Sequence, residues 1–470
     1  MPEQQSPTQA SIMADLLHLF RREIAVTLRP ELSSPYALYT AEVMEQMLGH
    51  MEDWAAGNLH PETDAARAAL IAKSPTLPPT GSHLIPEFDD GAAIDDTLAQ
   101  AIIHANKKQN LALLAELGTG AAIIDDTLYT AEAQRHETSK QDDLAFMAEI
   151  DWDVTPERFD RYASSKLGIN DATKKILKIP GGHSKDTFLI TLVSGAELIV
   201  RRDFPFGPVD TSAPDEFDLL SRLFAAGLPV AKPITAEYDK SFLGQPFLVV
   251  EKVAGGDAHV AGMADKKVGR YVSLELARVL ADLHNMDVRQ SSLPLAEGDP
   301  RAQVHAYLMR WRNWWDKHRI HPSSLGEAAF AWLERNIPAG LERTVIVHGD
   351  ARPGNMLFHN GAVTALLDWE FAHIGDPAED MQYAKGFVEP FINWDDFLAA
   401  YMAAGGQRVS DEGAKFYDVF RSLRNVICTD VAWGGFAHKK YPALKLAAQG
   451  IIYKRMLAQQ LAASMRQVAW

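Results

Sequence analysis

The segment 345–368, VIVHGDARPGNMLFHNGAVTALLD, constrains the fold more than any other stretch of the chain. Asn360-Gly361 is the strongest short signal for a two-residue type I′ hairpin, because both central residues of that turn need positive φ. In such a hairpin His359 pairs with Ala362, and counting back sets Asn355 opposite Leu366. Asp368 lies two residues past Leu366 on the same face, since strand side chains alternate with period two. Diagonal cross-strand neighbours lie about 7–8 Å apart at the backbone, close enough to share one ion. Both side chains present oxygen, which suits a hard cation such as Mg²⁺ rather than zinc.

Asp350 stands just before this hairpin, after the apolar run Val345-Ile346-Val347. A carboxylate there can take a proton from an attacking hydroxyl. An Asp followed five residues later by an Asn is also the spacing of the kinase catalytic loop, in which Asp is the base and Asn holds metal. Either residue alone reads as a strand end or a turn bond. Together with the hairpin and Asp368 they read as one site.

The rest of the chain supplies the frame. Its 470 residues exceed one compact domain. Residues 1–150 show helical apolar spacing at 8–30, 35–57, about 93–117 and 123–149, with a Pro/Gly/Asp-rich loop at 74–92. Two similar segments begin at Gly91 and Gly120, either a repeated helical hairpin or two similar helix starts. Thr155-Pro156-Glu157 is a helix start. β-type segments follow at 176–179, 187–193, 197–201 and 246–253, with a helix at about 214–226. From about 262 onward the pattern is helical, broken by the hairpin. The expected fold is therefore α+β: an acidic all-helical domain (1–150), a small β-rich lobe (153–257) and a helical lobe (258–470).

The net charge of -16 is unevenly spread. Residues 1–150 hold 9 Lys+Arg and 23 Asp+Glu, or -14, which leaves -2 for the remaining 320. The acidic part argues against nucleic acid or an anionic membrane as its partner and leaves a protein partner or self-association open. No stretch is apolar and long enough to span a bilayer. The single cysteine, Cys428, permits no internal disulfide, and no Cys/His cluster has zinc spacing. The polar start MPEQQSPTQA lacks signal-peptide character, so a cytoplasmic setting is expected.

His348-Gly349-Asp350-Ala-Arg-Pro-Gly-Asn355, Leu367-Asp368-Trp369-Glu370 and Gly375-Asp376-Pro377 resemble the aminoglycoside phosphotransferase and choline kinase-like family. The resemblance covers about 153–470 and is strongest to kinase domains fused to acyl-CoA dehydrogenases. It implies a protein-kinase-like bilobal fold, ATP and Mg²⁺ as cofactors, and a small-molecule hydroxyl as acceptor. It further implies Asp350 as catalytic base, with Asn355 and Asp368 as metal ligands.

On the nucleotide side, Gly181 and Gly182 lie in a loop between two β-type segments, where glycine lets backbone N–H groups approach phosphate. Ser184 and Thr187 could add hydroxyl donors. No Walker-type G-x-x-x-x-G-K-[ST] pattern occurs. Arg201 ends a strand that resembles the one carrying the kinase phosphate-binding lysine, and arginine can hold phosphate oxygens bidentately. Glu216 resembles its acidic partner, or is a helix-start carboxylate favoured by the dipole. Pro246 to Val253 resembles the hinge, with the main chain of Glu251 and Val253 facing adenine. His284 reads as packing and His348 as a buttress of the loop. Arg352 reads as a contact to phosphate or to an acidic acceptor, or as a solvent-facing residue.

Tyr307, Trp311, Trp314 and Trp315 form an aromatic stripe at helical spacing, either core or acceptor site. The acceptor suggested by the resemblance is a hydroxy acid or hydroxyacyl thioester. The near-neutral charge of 151–470 gives no support to a polycationic aminoglycoside, as an antibiotic kinase would require. A catalytically silent nucleotide-binding scaffold would be expected to have lost one of Asp350, Asn355 and Asp368. A metal-dependent hydrolase would not explain the glycine loop.

Overall fold

The computed structural model describes residues 154–179, 182–320, 323–438, 440–441 and 443–469, with helical stretches within 66–72, 98–106 and 112–123 (67 and 104 excepted). The expected helices at 8–30 and 35–57, the loop at 74–92, residues 91–97 of the segment beginning at Gly91 and most of 123–149 lie outside the described residues, as does Gly181. The helix across 112–123 runs through Gly120, and the rest of the segment that begins there lies outside the described residues.

Thr155 caps the first helix, α1 (Pro156–Tyr162), by accepting from the Arg158 N–H. A five-stranded antiparallel sheet follows: β1 (Thr173–Ile179), β2 (Lys185–Leu192), β3 (Glu197–Asp203), β4 (Pro233–Glu237) and β5 (Phe247–Glu251), in the order β1-β2-β3-β5-β4. In β3, Leu198, Val200 and Arg202 are buried while the residues between them are half-buried. This alternation puts Arg201 and Arg202 on opposite faces. One face packs on Phe159 and Tyr162 of α1 through Phe188, Val200 and Phe247. On the other, α2 (Glu216–Ala225) buries Leu219, Leu220 and Leu223 in a cluster with Leu248 and Val250.

After β6 (Gly256–Asp257) the chain is mainly helical: α3 (Lys240–Leu243) precedes it, and α4 (Ala258–Ala264), α5 (Lys266–His284), α6 (Pro300–His318) and α7 (Ser324–Arg335) follow. The segment 345–375 then supplies β7 (Val345–Val347), β8 (Met356–His359), β9 (Ala362–Leu366) and β10 (His373–Gly375). The chain continues with α8 (Ala378–Val388), α9 (Trp394–Ala403), α10 (Asp411–Ala437), α11 (Leu444–Ala448) and α12 (Lys454–Arg466). The 27-residue α10 is the pillar of this lobe and packs on α6, α7, α8 and α12. The described N-terminal stretches join the same apolar cluster through Leu98, Ile102, Leu114 and Leu117.

The hairpin forms at the expected turn. Asn360 and Gly361 have φ 48° and 84°, and His359 pairs with Ala362. Its register further along differs from expectation. A bulge at Thr364 makes Met356, not Asn355, the partner of Leu366. One residue is thereby inserted on β9, and the Thr364 hydroxyl donates to Ala254 O at 2.7 Å. Asn355 ends a short 3₁₀ turn, Pro353–Asn355, and its carbonyl accepts from Leu367 N–H. The same-face argument for Asn355 and Asp368 therefore does not hold.

Candidate active site

The loop after β7 is held by its backbone. Asp380, fully buried on α8, accepts from His348 N–H and Gly349 N–H, both at 2.8 Å. His284 Nε2 lies 3.0 Å from the same carboxylate, and its Nδ1 lies 2.7 Å from the Tyr401 hydroxyl. His284 is therefore more than packing: it is a link in the chain that anchors the loop. From α10, Arg424 donates to Gly349 O and, at 2.6 Å, to Glu379. Gly349 has φ 83°, and a Cβ there would sit 2.8 Å from Phe371, so only glycine fits.

His348 accepts the Asp350 N–H at Nδ1 (3.1 Å), and its Nε2 donates to Leu367 O (3.0 Å). One ring nitrogen accepting and the other donating is the neutral imidazole. Burial depresses the His348 pKa and maintains that form. The ring thus braces Asp350 against the residue preceding Asp368. Asp350 is nearly buried, and its Oδ2 accepts from Asn355 Nδ2 at 2.6 Å. Among the described residues its Oδ1 has no hydrogen-bond partner; Arg352 Nε is 3.5 Å away. Such an orphaned carboxylate oxygen is costly to bury and is available as a proton acceptor.

Asp368 has φ 70°, an uncommon conformation for a residue other than glycine and one that clusters at functional sites. Its Oδ1 accepts from Arg201 Nη2 at 2.6 Å, while Arg201 Nη1 reaches Glu216 at 2.5 Å. Burial opposes the Arg201 charge, but Glu216 and Asp368 outweigh it and raise its pKa. Glu216 opens α2 and pairs with Arg201. Thr187 pairs directly with Arg201 across β2 and β3 and shares its face.

Ser184 differs from expectation. Its hydroxyl donates to Glu370, so it is engaged within the protein rather than free for phosphate. Sequence reasoning also missed Lys185 and Glu370, which pair at 2.6 Å, with Lys185 3.7 Å from Glu216. Burial disfavours the Lys185 ammonium, yet Glu370 and Glu216 raise its pKa. The available signals were a lysine three residues past Gly182 and a glutamate two past Asp368. At the end of β5, Glu251 N–H donates to Lys232 O, and its carboxylate meets Lys232 Nζ at 2.8 Å in the open. Val253 lies just beyond the β5 ladder and is half-buried.

The aromatic stripe on α6 is core. Tyr307, Trp311 and Trp315 are buried, Tyr307 stacks on His373 with centroids 3.4 Å apart, and Trp315 Nε1 donates to Asp430 at 2.8 Å. Trp314 is half-buried and donates to Pro208 O. Arg310 and Arg312 are bound to Asp210 and Glu327.

Asn355 and Asp368 offer oxygen donors of the kind a hard divalent cation takes. The Asn355 amide N–H₂ is occupied by Asp350, which leaves its carbonyl oxygen as a ligand. Asp368 is half-buried and has one oxygen beyond the one held by Arg201. Two oxygens suit Mg²⁺, which keeps several waters and shares phosphate oxygens.

Residues 175–417 match the model of the phosphotransferase enzyme family, more than half of the chain. The chain belongs to that family. It is 32% identical to acyl-CoA dehydrogenase family member 11 of Gallus gallus over 214 residues, 44% of this chain and 27% of that protein. With the Homo sapiens protein of the same name it shares 28% over 304 residues, 61% and 37% respectively. The chain thus spans about a third of those relatives' length. A solved structure of a candidate aminoglycoside phosphotransferase from Ralstonia eutropha superposes with TM-score 0.50 at 20% identity, covering 67% of this chain and 99% of that one. The fold is that of the aminoglycoside phosphotransferases.

Proposed function

We propose that this chain is an ATP- and Mg²⁺-dependent small-molecule kinase that moves the γ-phosphate to a hydroxyl, with Asp350 as base. The observation that carries this reading is the Asp350 carboxylate: one oxygen is fixed by Asn355, and the other is buried with no hydrogen-bond partner among the described residues. Phosphoryl transfer needs positioning and charge neutralisation more than covalent chemistry. Asp350 orients the acceptor hydroxyl and takes its proton as the new O–P bond forms and the bond from the γ-phosphorus to the bridging oxygen breaks, so that ADP leaves. Arg201 and the glycine loop hold the nucleotide phosphates, with Thr187 beside Arg201 and the Glu251–Val253 main chain against adenine. Asn355 and Asp368 would hold Mg²⁺, which when bound neutralises phosphate charge.

The acceptor we propose is a hydroxy acid or hydroxyacyl thioester. Similarity to proteins named acyl-CoA dehydrogenase family member 11 supports it. Arg352, partly exposed beside Asp350 and stacked on Phe387 at 5.4 Å, offers a cation for a carboxylate or phosphate on such an acceptor. The test is incubation with ATP, Mg²⁺ and pooled hydroxy acids, hydroxyacyl thioesters and aminoglycosides, read by mass spectrometry. Magnesium-dependent phosphate addition to a hydroxyacyl compound is expected. Nucleotide binding with no phosphorylated product from any pool would overturn the proposal.

A further inference from the structure

The family match ends at residue 417, yet the chain beyond it returns to the small lobe. A π-helical turn, Gln449–Tyr453, joins α11 to α12. Such wide turns occur mostly as single insertions and are frequent at functional sites. Lys445, Gln449 and Tyr453 are spaced four apart, so one helical face presents all three. That face meets the glycine loop. Gln449 is buried, and its Nε2 donates to His183 O at 2.8 Å. Lys445 Nζ donates to Gly182 O at 3.2 Å and lies 3.9 Å from Asp186. The Tyr453 ring meets His183 edge-on, with centroids 5.4 Å apart.

We infer that Gln449 and Lys445 are positioning residues for the glycine loop, and so set how tightly the chain holds the phosphates of a nucleotide; this rests on the nucleotide reading above. A backbone carbonyl turned toward a triphosphate repels it, whereas an N–H attracts it. Donors from the C-terminal segment take up two successive carbonyls of this loop and keep them out of the phosphate site. The loop has little slack of its own: a Cβ at Gly182 would sit 2.3 Å from Lys185 O. Lys445 also brings an ammonium beside the loop, which adds attraction for an anion.

The test is calorimetric titration of the full chain with Mg·ATP and separately with adenosine, which lacks phosphates. Gln449→Ala and the volume-preserving Gln449→Met should each weaken ATP about tenfold, the size of one lost hydrogen bond, with adenosine affinity within about twofold. Lys445→Met should behave alike, and Lys445→Arg, which keeps a charged donor, should restore ATP affinity. Unchanged ATP affinity in the folded Gln449 and Lys445→Met variants, or equal loss for ATP and adenosine, would overturn the inference. A wild-type chain that binds ATP no better than adenosine would instead overturn the nucleotide reading on which it rests.

Discussion

Asp350 is available because its neighbours are occupied. Asp380 and Arg424 hold the loop's main chain, His348 accepts the Asp350 N–H, and Asn355 takes one carboxylate oxygen. On the phosphate side, Arg201 bridges Glu216 and Asp368 with two separate nitrogens. A lysine cannot reproduce that fork. Arg201→Lys should therefore weaken Mg·ATP about tenfold or more, measured by calorimetry, with little change for adenosine. Asp376 supplies a pH test. Burial raises its pKa to about 6, although its carboxylate accepts from Ala378 N–H. Between the unfolded value near 4 and about 6 the native state binds more protons, so this group's contribution to stability falls as pH rises through that window and is flat above it. Asp376→Asn keeps an acceptor without a charge. It should be more stable than the wild type at pH 7, by on the order of 2 kcal/mol, with the gap closing toward pH 4 in urea melts. The motif around Asp350 was legible in the sequence because its spacing is local. The Lys185–Glu370 pair was not, because 185 residues separate its members.

Within the β8–β9 hairpin, turn and register have different origins. The turn is written in Asn360-Gly361, whose positive φ values select those residues. The register also depends on the bulge at Thr364, and a threonine in a strand gives no warning of one. Its hydroxyl bonds to Ala254 O, outside the hairpin, so the extra residue answers a tertiary contact. The α6 stripe shows the same limit. Helical spacing located the aromatic face, but only the cluster around it and the Asp430 partner of Trp315 identify it as core. Two glycines separate backbone strain from crowding. A Cβ at Gly361 meets nothing within 4 Å, so Gly361→Ala should cost about 1–2 kcal/mol from φ alone. Gly349→Ala adds a clash with Phe371 and should cost more, with loss of phosphate transfer. Denaturant midpoints of the two variants check the order.

Across the molecule, the two lobes meet through charge. Arg201 and Lys185 come from the small-lobe sheet, and Asp368 and Glu370 follow β9 in the large lobe. Arg201 and Asp368 are among the residues the sequence singled out for the site, and the structure brings the two together. The packing of the N-terminal stretches was not legible, since amphipathic spacing says that a face is buried but not against what. Leu98 and Leu117 are fully buried in the apolar cluster that includes α6, α7, α10 and α12. Leu98→Ala and Leu117→Ala should each cost about 2–5 kcal/mol and lower the melting temperature of the whole chain in a single transition. A separate early transition would show that those stretches melt independently of the helical lobe. The central claim is that Asp350 takes the proton from the acceptor, and the most direct measurement is steady-state phosphate transfer by Asp350→Asn beside calorimetric binding of Mg·ATP. The expected result is turnover reduced roughly 10²–10⁴-fold with ATP affinity nearly unchanged. Turnover near the wild-type rate would contradict the account.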